Sequence, residues 1–253
     1  MPVAAGMTSE LLVIIAITFA ATMLGGFFAM RFRDRLHLIL GFSAGAVVAV
    51  ALFDLLPEAM SFGATYSPAT IALFIAAGFL AYLVFDRLIL IHPHDHGEEH
   101  DHDRGAGPQA RGIAGALTLS AHSFFDGVAI GVGFQASPIV GLVIAAAVIA
   151  HDFSDGINTV SFIIRSGGSW RKALPWLLVD AFAPVLGALS TLLFRIPAAN
   201  IGPVLAIFAG SFLYLGASDL IPESHHQHPR AATTVMTLLG AAVIFLAVRI
   251  SGA

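Results

Sequence analysis

No cysteine occurs among the 253 residues. Disulfides and thiolate metal sites are therefore excluded, and the redox compartment is left open. Charge is almost as scarce: 11% of the residues are Asp, Glu, Lys or Arg, against 57% hydrophobic. With a mean hydropathy of +0.87, the chain lies well outside the range of soluble domains, and it reads as an all-α polytopic membrane protein. One transmembrane domain is expected to occupy residues 1–253, leaving no room for a soluble one. The formal net charge of −4 says little about partners, because its distribution matters more than its sum. A lipid bilayer is the expected surrounding, and no nucleic acid is expected.

No Lys or Arg precedes the first apolar run, from about Glu10 to Met30. The basic start of a secretory signal is thus missing, and the run is expected to be retained as a helix. Further runs cover about 37–60, 68–91, 171–194, 200–222 and 231–250, and two more lie in 119–160. Each is long enough to cross about 30 Å of hydrocarbon at a rise of about 1.5 Å per residue. Eight transmembrane helices follow. Between the third and fourth lies a polar, low-complexity loop of about 92–110, HPHDHGEEHDHDRGAGPQ.

Basic residues set the expected orientation. Arg31, Arg33, Arg35, Arg87, Arg104, Arg111, Arg165, Arg171, Lys172 and Arg230 fall on one side of an eight-span topology, and only Arg195 and Arg249 on the other. The heavy side is expected to be cytoplasmic, with both termini outside, in a cell (inner or plasma) membrane.

Charge inside the helices is nearly all of one kind. The fourth helix carries HSFFDG, with His122 and Asp126, and the fifth carries HDFSDG, with His151, Asp152 and Asp155. Residues four apart share a helix face, so two antiparallel helices bring as many as five nitrogen and oxygen ligands towards one point. A lone intramembrane histidine is commonly a packing residue. Three carboxylates at membrane depth, with no Lys or Arg at that level, are another matter: they need a proton or a bound cation. A metal site is the expectation.

The chain also repeats itself. The pattern AG-x8-DLxPE runs from Ala44 to Glu58 and again from Ala209 to Glu223, 165 residues later, pairing Asp54 with Asp219 and Glu58 with Glu223. On the expected topology the two helices run in opposite directions, giving an inverted repeat of the kind secondary transporters use for alternating access. These four acids are candidates for the mouths of a pathway.

Taken together, the eight spans, the His-rich third loop, HSFFDG, HDFSDG, DLLPEA and DLIPES resemble the ZIP (Zrt/Irt-like) divalent metal transporters over nearly the whole chain. The resemblance implies a 3+2+3 arrangement of helices and import of a metal ion into the cytoplasm by alternating access, with no enzymatic activity. The ion implied is Zn²⁺, with Cd²⁺, Fe²⁺ or Mn²⁺ as other candidates. Helices one, four, five and six would slide against two, three, seven and eight, in a homodimer. It further implies that His122, Asp126, His151 and Asp155 hold one ion, and that Ser123, Asp152, Asp155 and Asp180 hold a second beside it. Two departures from the family pattern are Ser123, where Asn is usual and Ser is the poorer ligand, and Asp155, where many members have a second His and the carboxylate makes the site harder and more anionic.

Flexible His/acid tracts bind divalent ions without fixed geometry. His92, His94, His96, His100 and His102 in the third loop, with His225, His226 and His228 after the seventh helix, are candidates for metal capture on the cytoplasmic side. Two other classes are compatible with His and Asp on neighbouring helices. An intramembrane metalloenzyme is one, although no HExxH pattern occurs. A proton-coupled metal exporter of the cation-diffusion type is the other, though that class resembles six spans and a soluble domain.

Overall fold

The computed structural model describes residues 2–29, 36–90, 108–225 and 231–251, and the described residues contain no strand. Among the described residues, eight helices contain an apolar span of 20 to 28 residues, long enough to cross a membrane, and the chain is a multi-pass membrane protein. They are α1 (Pro2–Phe28), α2 (36–62), α3 (Pro68–Leu90), α4 (Pro108–Ala136), α5 (Pro138–Arg165), α6 (Trp170–Ser190), α7 (198–225) and α8 (Ala231–Ser251). Helix α4 starts at Pro108, inside the stretch expected to be loop. Proline is tolerated in a first turn because its missing N–H has no helical partner there. Most of the His-rich loop, with His92, His94, His96, His100 and His102, lies outside the described residues, as do His226 and His228.

Helices α4 and α5 are joined by a single non-helical residue, Ser137. Its side chain accepts the Val140 N–H at 3.1 Å and caps α5, with Pro138 at the first helical position. So short a link forces the two helices to run antiparallel side by side. That places the middle of one against the middle of the other.

Helices α2 and α7 are not regular throughout. Each widens into a π-helical turn, Ala51–Leu55 and Leu215–Leu220, before returning to α geometry. The Leu56 N–H bonds to Ala51 O and the Ile221 N–H to Gly216 O, both five residues back. Pro57 and Pro222 follow directly. A proline ring crowds the carbonyl four residues before it, and a wider turn is one way a helix absorbs it. The repeated DLxPE therefore encodes a repeated distortion, with the same offset of 165 residues.

Packing repeats as well. A Cβ on Gly45 would strike the backbone O of Thr237, and one on Gly210 that of Ile75; Gly78 stands likewise against Ile207 O, and Gly240 against Phe42 O. The α2–α8 and α7–α3 contacts are thus the same contact made twice. Between α1 and α5, Gly25 meets Phe153 O and Gly156 meets Thr22 O; between α6 and α4, Gly187 meets Phe124 O and Gly127 meets Pro184 O. These positions correspond at offsets of 162 residues from α1 to α6 and 29 from α4 to α5. Glycine at each point lets backbones approach where lipid supplies no hydrophobic drive. Helices α1, α4, α5 and α6 pack as one set and α2, α3, α7 and α8 as another, with α2 against α5 between them.

Candidate metal centre

The 29-residue correspondence of α4 and α5 places His122 opposite His151 and Asp126 opposite Asp155. One ligand atom from each of these four buried residues lies within 4.8 Å of the others. His122 Nε2 is 3.0 Å from Asp126 Oδ2, His151 Nε2 is 3.2 Å from the same oxygen, and His151 Nε2 is 4.0 Å from Asp155 Oδ2. Ligands of a tetrahedral zinc at about 2.1 Å stand about 3.4 Å from one another, so small side-chain movements suffice to enclose an ion. The His122–Asp126 pair is within ion-pair distance, yet His122 Nε2 makes no hydrogen bond, and Asp155 Oδ2 also lacks a partner. His151 donates its Nδ1–H to Ala147 O at 2.8 Å, which turns Nε2 towards the two carboxylates.

Burial here is complete. His151 and Asp152 are 0% exposed and Asp126 2%. Bare carboxylates in such a place are costly. A divalent cation between two imidazoles and two carboxylates gives a neutral set, with the nitrogen and oxygen donors that borderline ions such as zinc accept.

The remaining candidates divide. Asp180 is buried and stands outside the four-residue group. Its Oδ1 accepts from Ser123 Oγ at 3.0 Å and its Oδ2 from Thr159 Oγ1 at 2.8 Å. The single Ser123 O–H is shared, with Leu119 O also 3.0 Å from Oγ. Asp152 lies outside the group too, but both of its oxygens are buried without a hydrogen-bond partner. Four of the five helix-four and helix-five ligands therefore converge, not all five. The reason is angular: Asp152 is one residue on from His151 and points about 100° round the helix.

At the ends of the repeat the symmetry is broken. Asp54 is buried with neither oxygen hydrogen-bonded, Glu58 is half-buried, and Asp219 is exposed; the side chain of Glu223 lies outside those described. His225 is held locally, with Nδ1 2.9 Å from Ser224 Oγ and 3.0 Å from Ile221 O, and Nε2 3.3 Å from Thr234 Oγ1.

One residue of the site had no motif to announce it. Tyr82 of α3 places its hydroxyl 2.7 Å from His122 Nδ1, with the two rings edge to face. The only sequence signal was a phenol in an apolar helix, where its O–H needs a partner.

Comparison with known proteins bears on the same residues. The sequence model of the ZIP zinc transporter family matches residues 90–247, more than half of the chain and all of α4 and α5. The zinc transporter YKE4 of Saccharomyces cerevisiae is 24% identical over 226 residues, covering 78% of this chain and 65% of the yeast protein. The zinc transporter ZIP13 of Pongo abelii is 23% identical over 226 residues, covering 84% and 66%. The chain thus spans just under two thirds of these eukaryotic relatives. The zinc transporter ZupT of Escherichia fergusonii is 26% identical over 237 residues, covering 90% of this chain and 91% of its own length. All three are named as transporters and none as an enzyme.

Proposed function

The chain belongs to the ZIP zinc transporter family, and on that premise we propose that it carries a divalent metal ion, zinc foremost, across the membrane through the cluster of His122, Asp126, His151 and Asp155. The observation that carries the proposal is the convergence of these four buried ligand atoms within 4.8 Å of one another. The names of the relatives support zinc as the cargo. Two imidazole nitrogens suit a borderline ion such as zinc. The second carboxylate admits harder ions, so Fe²⁺ and Mn²⁺ are competing cargoes, and Cd²⁺, which also binds imidazole and carboxylate, is a third.

Transport by alternating access is the mechanism proposed. The repeated glycine contacts support two rigid sets of helices, because backbones in such close contact resist sliding within a set. The set α1, α4, α5 and α6 carries the ligands and moves against α2, α3, α7 and α8. The ion enters from outside and leaves to the cytoplasm, in a homodimer in the cell membrane. A second ion beside the first is supported by the unpartnered oxygens of Asp152, with Asp155 shared and Ser123 and Asp180 completing it.

The direct test is radioactive zinc in cells expressing the chain, against everted vesicles from the same cells. Saturable accumulation by intact cells is expected. Accumulation by everted vesicles alone would make the chain an exporter.

A further inference from the structure

The two histidines of the cluster are equivalent in position but are anchored differently. His151 fixes its Nδ1 to its own helix, on Ala147 O. His122 Nδ1 instead meets the Tyr82 hydroxyl on α3, a helix of the other packing set. Tyr82 is itself held in place. Its ring packs against Phe85 and Tyr214 at centroid separations of 5.9 and 5.4 Å, and the Tyr214 hydroxyl donates to Asp86 Oδ2 at 2.9 Å. The phenol oxygen is thus presented to α4 from a braced aromatic cluster.

We propose that Tyr82 is a positioning residue for the metal: its hydroxyl accepts the Nδ1–H of His122 and so presents Nε2 to the ion, in the arrangement of α3 and α4 seen here. An imidazole that binds metal through one nitrogen commonly donates its other N–H to an oxygen, which fixes the tautomer and the ring plane and strengthens the ligand. In this chain that oxygen does not travel with the ligands. Displacing α4 along α3 removes it from His122, while His151 keeps Ala147 O wherever α5 goes. Affinity is therefore tied to the relative position of the two helix sets. It is full where Tyr82 meets His122 and reduced where they part. The inference deepens the proposed function and rests on His122 being a ligand.

The test is zinc affinity of the purified full chain, by competition with a chelator, for Tyr82→Phe and His122→Ala, alone and combined. Tyr82→Phe removes one oxygen and keeps the ring. It is expected to weaken zinc about tenfold, and to have less than a twofold further effect once His122 is Ala. Affinity within twofold of the unmodified chain would overturn the proposal. So would an equal loss with and without His122, which would mark Tyr82 as merely structural. A normal affinity in His122→Ala alone would overturn the premise, and is recognised separately because Tyr82 is intact there. Nitrogen-15 spectra of the zinc-loaded, unmodified chain give a check that needs no folded variant at position 82. His122, assigned by its loss in His122→Ala, is expected with a protonated Nδ1 and metal on Nε2; metal on Nδ1 would overturn the proposal.

Discussion

Asp126 Oδ2 lies between the two imidazoles of the cluster, 3.0 Å from His122 Nε2 and 3.2 Å from His151 Nε2. One oxygen from α4 therefore stands within ion-pair distance of both nitrogens and is hydrogen-bonded to His151, while its counterpart on α5, Asp155 Oδ2, is 4.0 Å from His151 Nε2 and has no hydrogen-bond partner. Asp126→Asn replaces an acceptor oxygen with either a neutral oxygen or an amide that cannot ligate. It is expected to weaken zinc more than Asp155→Asn does, by about tenfold or more, as judged by chelator competition. Equal losses for the two variants would contradict the central place given to Asp126.

The doubled helix contacts make a prediction about stability. Gly45→Ala and Gly210→Ala each drive a methyl group into a backbone carbonyl oxygen, of Thr237 and Ile75 respectively. Each is expected to cost about 1–3 kcal/mol by overpacking, with similar losses because the two contacts are equivalent. Thermal unfolding in detergent measures it. An unshifted midpoint in either variant would contradict the repeated contact.

Asp152 tests for the second ion. Its two buried oxygens have no partner, whereas Asp180 is already satisfied by Ser123 and Thr159. Asp152→Ala is expected to lower the zinc content of the purified chain from two ions to one, by elemental analysis. One ion per chain before and after would show that the second position does not exist here.

Much of this was legible in the sequence, for identifiable reasons. A helical period of 3.6 puts His122 with Asp126 and His151 with Asp155 whatever surrounds them, and the structure brings all four together. The offset of 165 residues between the DLxPE segments was legible because prolines mark it, and it reappears as paired π turns. Other features depend on what stands opposite. No motif marks Asp180, and its hydroxyl partners come from α4 and α5. The glycines at 25, 127, 156 and 187 read as small residues until the carbonyls facing them are known. Tyr82 is 40 residues from His122, and no periodicity links the two. The start of α4 was displaced because its first turn is polar.

The five histidines of the loop at about 92–110 lie on the side expected to be cytoplasmic, downstream of the site for an inward-moving ion. Replacing all five with Ser is expected to leave the apparent affinity for external metal nearly unchanged. The maximal rate, or its inhibition by accumulated metal, should alter instead. Initial-rate uptake at matched surface expression checks this. A tenfold loss of apparent affinity at an unchanged maximal rate would invert the topology.

The most direct measurement is zinc entry into proteoliposomes that enclose a zinc indicator, for the unmodified chain and for His151→Ala. His151 is wholly buried at the centre of the cluster, and among the described residues of the cluster only His122 offers another nitrogen. Saturable entry is expected for the unmodified chain. For the variant, incorporated to the same level and equally folded, entry is expected to fall to that of empty liposomes. Entry within twofold of the unmodified chain would contradict the account, because an ion would then be crossing without the cluster.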